Sequence, residues 1–399
     1  MKLRIYSFLF FLFLLIADAA HSQNLERFHR KATLVDTHND ALTEQTLEGK
    51  DLSQLLSTGH SDLYRWRSGG MNVQFMSVWT SETARNPAGF YADANQEIDS
   101  LELLVLRNHQ QMTLARSVHE MKKGIRMNKL VFFIGVEGGH MIEDDLLKLE
   151  NLARRGMRYL TLTWNNSTSW ASSAMDETAA ERGEKKDLKK GLSEFGKAVV
   201  RRLNELGVMV DLSHVGEEAF YDALSVTTKP VLLSHSSVYS ICPVFRNLKD
   251  EQIRAVAANK GVICINFYSG FISAEYDQRG EWLRVNRTRV QDSLLRVAGG
   301  DSAMMRRAWA VYQKLKMEEV RPGIKEVVDH IEYIARLVGV DYVGLGADYD
   351  GVSSVPKGLE DVSRYGAITE ELMRRGFSRK SVKKILGKNV IRVMKANFK

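Results

Sequence analysis

Eight short apolar and β-branched runs, each bounded by turn-forming residues, recur along the chain. They lie around Thr33–Thr37, Asn72–Trp79, Lys129–Val136, Arg158–Thr163, Val208–Leu212, Pro230–Ser234, Gly261–Phe267 and Tyr342–Ala347. Most are almost continuously apolar, as strands covered on both faces are, which points to a parallel sheet beneath helices. Between them a 3.6-residue period predicts helices over Leu146–Arg155, Leu192–Leu206, Glu217–Leu224, Asp250–Asn259 and Val327–Val338. Strand and helix thus alternate about eight times, and the predicted fold is an α/β (β/α)8 TIM-like barrel. An open doubly wound sheet is the alternative, but the Gly-rich phosphate loop that such a sheet often carries after its first strand is missing. Two connections are longer than a barrel needs. One, from about Ser81 to Asn128, is predicted to carry a long amphipathic helix through Glu97–Lys122. The other is an insertion after strand seven, about Ser273 to Pro322, rich in Arg, Lys and Glu, with Trp282, Trp309 and Tyr312 among them. It reads as a lid, an oligomer contact or a solvated helical decoration.

With 399 residues, 44% of them hydrophobic and 26% charged, the chain can bury a large core. Its first residues, Met1 to Gln23, carry Lys2 and Arg4, an apolar run from Phe8 to Ile16, and the small residues Ala19, Ala20 and Ser22. That is the pattern of a cleavable secretory signal, and the apolar run is shorter than the roughly 20 residues of a bilayer span. Residues 24–399 are then expected to form one exported barrel domain, periplasmic or extracellular. No lipid anchor is expected, because no cysteine follows the apolar run and Val390–Lys399 is too charged for an anchor signal. The net charge of +7 is spread along the chain with no basic stripe interleaved with aromatics, so nucleic acid is not an expected partner. Cys242 and Cys264 are the only cysteines; an exported protein can pair them, and two buried thiols fit equally well.

Candidate chemistry lies where the strands end. Strand one runs into Asp36-Thr37-His38-Asn39-Asp40, strand three into Glu137-Gly138-Gly139-His140, strand five into Asp211-Leu212-Ser213-His214, strand six into Ser234-His235, and strand eight into Asp348-Tyr349-Asp350. In a barrel these ends converge on one mouth. A period of two puts His38 and Asp40 on one side, where an imidazole and a carboxylate can share a metal such as zinc. Burying these groups uncompensated costs several kcal/mol, so five such strand ends together are poor core choices. His29, His60, His109, His119 and His330 have no such neighbours and read as structural. His140 is expected to support its loop or the ligands rather than bind a metal.

At these motifs the sequence resembles the membrane (renal) dipeptidase family, from about Leu34 to Met394. The likeness also takes in Arg158–Thr163, Arg246-Asn247 and Gly358–Ser363. It implies a (β/α)8 barrel holding two zinc ions that hydrolyses dipeptides, often with a D-residue on the C-terminal side, and often as a homodimer. Carried over by motif, it implies that His38 and Asp40 hold one zinc, His214 and His235 the other, and Glu137 bridges them. Asp348 would then be the catalytic acid/base, and Arg246 would receive the substrate carboxylate, which its planar fork suits. The family's mammalian members have a substrate-contacting histidine just after the fourth strand. Aligning Leu160–Thr163 places Trp164 there, followed by Asn165 and Asn166, so oxyanion stabilisation would be re-sourced or weakened. A related barrel hydrolase acting on a cyclic amide, β-lactam or lactone, and a binding protein that kept the site after losing turnover, are the rival functions.

Overall fold

The computed structural model describes residues 23–398; the leader expected at residues 1–23 lies outside them but for its last position. Among the described residues there are nine strands: β1 (Val35–Asp36), β2 (Val73–Val78), β3 (Met112–Leu114), β4 (Leu130–Glu137), β5 (Met157–Thr161), β6 (Met209–Asp211), β7 (Leu232–Leu233), β8 (Val262–Ile265) and β9 (Val343–Leu345). β1, β2 and β4 to β9 are neighbours in that order and all parallel. The ring closes between its first and last strands: Thr37 N donates to Leu345 O (3.1 Å), Asp348 N to His38 O (3.2 Å) and Asp40 N to Tyr349 O (2.9 Å). The eight strands expected from sequence are therefore the eight staves of a (β/α)8 barrel. β3 stands outside the ring and pairs with the first half of β4, Met112 opposite Leu130, while β5 takes the second half.

The helix expected over Glu97–Lys122 is two helices, Phe90–Arg107 and Val118–Arg126, with β3 between them. Asn108 caps the first, and Ser117 starts the second by accepting from Glu120 N (3.1 Å), while the Glu120 carboxylate accepts from Arg116 N (2.6 Å). Ser117-Val118-His119-Glu120 is an S-x-x-E capping signal inside what otherwise looks like one periodic run. The insertion forms three helices, Ala274–Val285, Arg287–Val297 and Ser302–Glu319, the middle of which buries no residue. Cys242 and Cys264 are both buried and unpaired. Among the described residues no helix is long and apolar enough to cross a membrane.

Alternation along the strands sorts the core into two layers. Residues such as Phe132, Ile134, Val136, Leu160 and Val210 face the helices, whereas Val35, Val73, Phe75, Val131, Phe133, Tyr159, Met209 and Cys264 fill the barrel. Phe75 stacks on Phe133 (5.0 Å) and on Tyr159 (5.7 Å), and the C-terminal helix Asn389–Asn397 adds Val390, Val393 and Met394 to this inner cluster. The same period sets the site, since the inward row of β4 runs Val131, Phe133, Gly135 and Glu137. Gly135 has to lack a side chain, because a Cβ there would lie 1.9 Å from Cζ of Tyr159.

Candidate metal centre

The site residues lie at or just beyond the C-terminal ends of the apolar strands, so the layers that fill the barrel give way to polar side chains at its C-terminal mouth. Glu137 stands at the centre. Its Oε1 lies 2.9 Å from Nε2 of His214 and 3.2 Å from Nε2 of His235, and its Oε2 lies 3.6 Å from Nε2 of His38. His38 Nε2 is in turn 3.4 Å from Oδ2 of Asp40 and 3.9 Å from Oδ1 of Asp348. All six residues are buried. Two clusters thus share one carboxylate, with His38, Asp40 and Asp348 on one side and His214 and His235 on the other.

The outer nitrogen of each imidazole has its own partner. His38 Nδ1 is 2.9 Å from the Tyr159 hydroxyl, His214 Nδ1 is 3.0 Å from Oδ1 of Asn165, and His235 Nδ1 is 2.8 Å from Oγ of Ser234. Ser234 Oγ donates to Oδ2 of Asp211 (2.6 Å), and Asp211 also accepts from Thr161 Oγ1 and from the amides of Ser213 and Ser234. Ser234 Oγ is therefore left as an acceptor for His235, and Oδ1 of Asn165 can only accept. Protons placed on Nδ1 turn the Nε2 lone pairs inward. The Nε2 atoms of His214 and His235 consequently face each other at 2.9 Å beside Oε1 of Glu137, an oxygen with no hydrogen-bond donor; Oδ1 of Asp40 has none either. Buried acceptors aimed at one another call for a cation. Imidazole nitrogens with carboxylate oxygens are a donor set that zinc accepts, so the residues fit the expected pair of ions.

Burial lowers the pKa of His214, to about 4, and that of His235 well below the ordinary imidazole value, which keeps both rings neutral and ligand-competent. Burial first, and then the charges of Asp40 and Glu137, push Asp348 well above the ordinary carboxylate range. Asn266 Nδ2 donates to Oδ2 of Asp348 (2.8 Å) and holds that carboxyl at the edge of the cluster. His214 and Asp348 both adopt left-handed backbone, φ 64° and 65°, an uncommon conformation for residues other than glycine.

Above the clusters opens a cavity of about 580 Å³, walled by Trp79, Trp164, Phe245, Tyr268 and Phe271. Trp164 packs against Trp79 (ring centres 5.0 Å apart) and lies 6.4 Å from His214, so it forms wall. Asn165, expected among the substrate contacts, borders the cavity and commits its carbonyl oxygen to His214, whose ring it orients. Arg246 is buried, donates to His235 O (3.2 Å), lies 5.4 Å from the Phe271 ring and leaves Nε without an acceptor. It lines a smaller chamber that shares His214 and Phe245 with the main cavity.

The remaining histidines with structural readings behave so where bonds are made. His29 bonds Thr369 and Gly69 O, His60 accepts from Asp350 N, and His330 accepts from Val238 N and donates to Ile272 O. His140 reaches Thr80 O (3.2 Å) and supports its loop. Tyr159, Ser234 and Asn266 belong to the site without having been expected among its residues. Ser234 was within sight as the neighbour of His235, but the partners of Tyr159 and Asn266 lie on distant strands.

The sequence profile of the membrane dipeptidase family (peptidase family M19) matches residues 22–398. Among solved structures, the chain is similar to the probable dipeptidase PvdM from Pseudomonas aeruginosa, at 22% identity and TM-score 0.74 over 94% of this chain and 98% of that one. It is also similar to a metallo peptidase from Rhodobacter sphaeroides liganded with a phosphinate mimic of the dipeptide L-Ala-D-Ala, at 20% identity and TM-score 0.72 over 92% and 99% of the two chains. A third, the dipeptidase AC of family M19, matches at 21% identity and TM-score 0.72, with the same coverage. At such identities these structures show a common fold.

Proposed function

Because the chain belongs to the membrane dipeptidase family of metallopeptidases, we propose that it is a two-zinc dipeptidase whose ions are held by His38, Asp40, Glu137, His214 and His235. The observation that carries this reading is the buried carboxylate of Glu137 set between His38 on one side and the imidazole pair His214 and His235 on the other. Zinc ions held there would supply Lewis-acid polarisation of the scissile carbonyl and a water acidic enough to attack near neutral pH.

The protein's own groups do the rest. Asp348, steadied by Asn266 at the edge of the cluster, takes a proton from the attacking water and delivers it to the departing amine. Water's oxygen ends in the new carboxylate and the C–N bond breaks. Arg246 binds the free carboxylate of the substrate, and this favours dipeptides over longer chains, whose carboxylate lies farther from the scissile bond. Trp79 and Trp164 wall the cavity against bulk water. Acceptance of a C-terminal D-residue is part of the proposal, supported by the dipeptide mimic bound to the Rhodobacter relative. So is export, supported by the leader pattern of residues 1–23.

Metal analysis of the purified protein, with rates on L,L- and L,D-dipeptides before and after chelation, tests the reading. Two zinc ions per chain and chelator-sensitive cleavage are expected. Two metals without dipeptide turnover would move the assignment to another amide or ester, and absence of metal would overturn it.

A further inference from the structure

Three cavities meet at one side chain. The metal cavity of about 580 Å³, the smaller chamber of about 190 Å³ that holds Arg246, and an outer cavity of about 640 Å³ all have Phe245 in their walls. The outer cavity is built in part by the first insertion helix, through Tyr276, Gly280 and Arg284. Phe245 is half-buried, and the backbone that carries it is pinned on both sides. Asn247 Nδ2 donates to Cys242 O (2.8 Å) and Phe271 O (2.7 Å), Asn247 N donates to Val244 O (3.0 Å), and Arg246 reaches His235 O. Tyr268 and Phe271, which line both the metal cavity and the outer one, meet edge to face with centres 4.8 Å apart. The ring of Phe245 is therefore a partition on a fixed hinge of backbone.

Resting on the dipeptidase reading, we propose that Phe245 is the specificity-determining residue for the C-terminal side chain of the substrate. The argument is one of covalent reach. A carboxylate bound at Arg246 is attached directly to the Cα of the substrate's C-terminal residue, so that residue's side chain leaves the chain one bond from the carboxylate carbon. Phe245 is the adjacent residue in sequence and the only one common to the chamber holding Arg246, the metal cavity and the outer cavity. Its ring limits how far the side chain extends, admits small and medium groups, and turns large ones away from the outer cavity. The insertion thereby gains a part in the reaction, because the space that it walls lies just beyond the partition. The N-terminal residue of the substrate lies across the scissile bond and has no such neighbour.

The test uses the full-length zinc-loaded enzyme and two dipeptide series, alanyl-Xaa and Xaa-alanine, with Xaa alanine, leucine, phenylalanine or tryptophan. kcat/KM is measured for wild type, Phe245→Leu and Phe245→Ala. In the alanyl-Xaa series the ratio of tryptophan to alanine is expected to rise about tenfold in Phe245→Ala and less in Phe245→Leu, the size of effect that opening an apolar pocket produces. The Xaa-alanine ratios are expected to stay within about twofold on the same scale. Because each ratio is taken within one protein, the fraction of active enzyme cancels; if Phe245→Ala does not fold, Phe245→Leu carries the comparison. An unmoved alanyl-Xaa ratio, or a change confined to Xaa-alanine, overturns the inference while leaving the dipeptidase reading intact. A wild-type enzyme that cleaves neither series overturns that reading, and this inference with it.

Discussion

Asp348 and Ser234 affect the centre in separable ways. Asp348 borders the cavity and is bonded by Asn266, so Asp348→Asn is expected to lower kcat about a hundredfold or more while zinc content stays at the wild-type level. Retained turnover in that variant would remove Asp348 from the proton transfers. Ser234 lies behind the metal-facing atoms, passing the Asp211 carboxylate's influence to His235. Ser234→Ala is expected to weaken zinc binding about tenfold to a hundredfold, read by competition with a chromophoric chelator, because the ring loses the bond that sets its tautomer and aim. Unchanged affinity would show that the hydroxyl only packs. For Arg246 the measurement is a comparison of dipeptides with their C-terminal amides: a large preference for the free acid is expected, and equal rates would remove Arg246 as the anchor. His38, Asp40, Glu137, His214, His235 and Asp348 were all legible as polar residues directly after apolar strands. Tyr159 was not, because an aromatic within a strand reads as core until its hydroxyl is seen 2.9 Å from His38.

At the scale of the element, β4 couples packing to the metal site. Its inward row leaves Gly135 under the Tyr159 ring, and a methyl group there would overlap that ring at 1.9 Å. Gly135→Ala is expected to displace Tyr159, free His38 Nδ1, cost about 1–3 kcal/mol of stability, and reduce zinc retention. Melting temperature and metal content would both fall; if melting alone fell, the link from Gly135 through Tyr159 to the ligand would not hold. Strands and most helices were legible from periodicity, because burial on both faces and on one face leave different patterns. The span between β2 and β4 was not, since β3 and its flanking helices are all amphipathic, and only the Ser117–Glu120 cap marks where one helix ends and the next can begin. β1 and β7 are shorter than their apolar runs because regular pairing stops where the chain turns to present His38 and His235.

For the molecule as a whole, stability should depend on metal and on pH through different groups. The proposed zinc ions would bind the folded chain and not the unfolded one, which has no preformed site, so chelation is expected to lower the melting temperature, and readdition to restore it. His330 joins the loop after β7 to the start of the insertion through Val238 N and Ile272 O, and burial lowers its pKa to about 4. The unfolded chain takes up this proton near pH 6.5, whereas the native state resists it until about pH 4. The stability contributed by the neutral ring is therefore present above pH 6.5 and lost progressively as pH falls towards 4, on the order of 3 kcal/mol in full. Denaturant titrations of the metal-free protein at pH 7 and pH 5 should show that loss, and His330→Gln should reduce it. An identical pH slope in the variant would assign the acid sensitivity to other groups.

Periodicity, strand-end chemistry and motif spacing were enough for the sequence by itself to determine the barrel, its catalytic face and the family, because burial and extended geometry act on residues close together in the chain. Tertiary structure alone decided which hydroxyl or amide orients each imidazole. It also decided that Asn165 bonds His214 and that Phe245 stands where three cavities meet. Those relations join residues tens to hundreds of positions apart. They arise only when ring closure brings the strand ends to one mouth, and no local pattern encodes a distance across it.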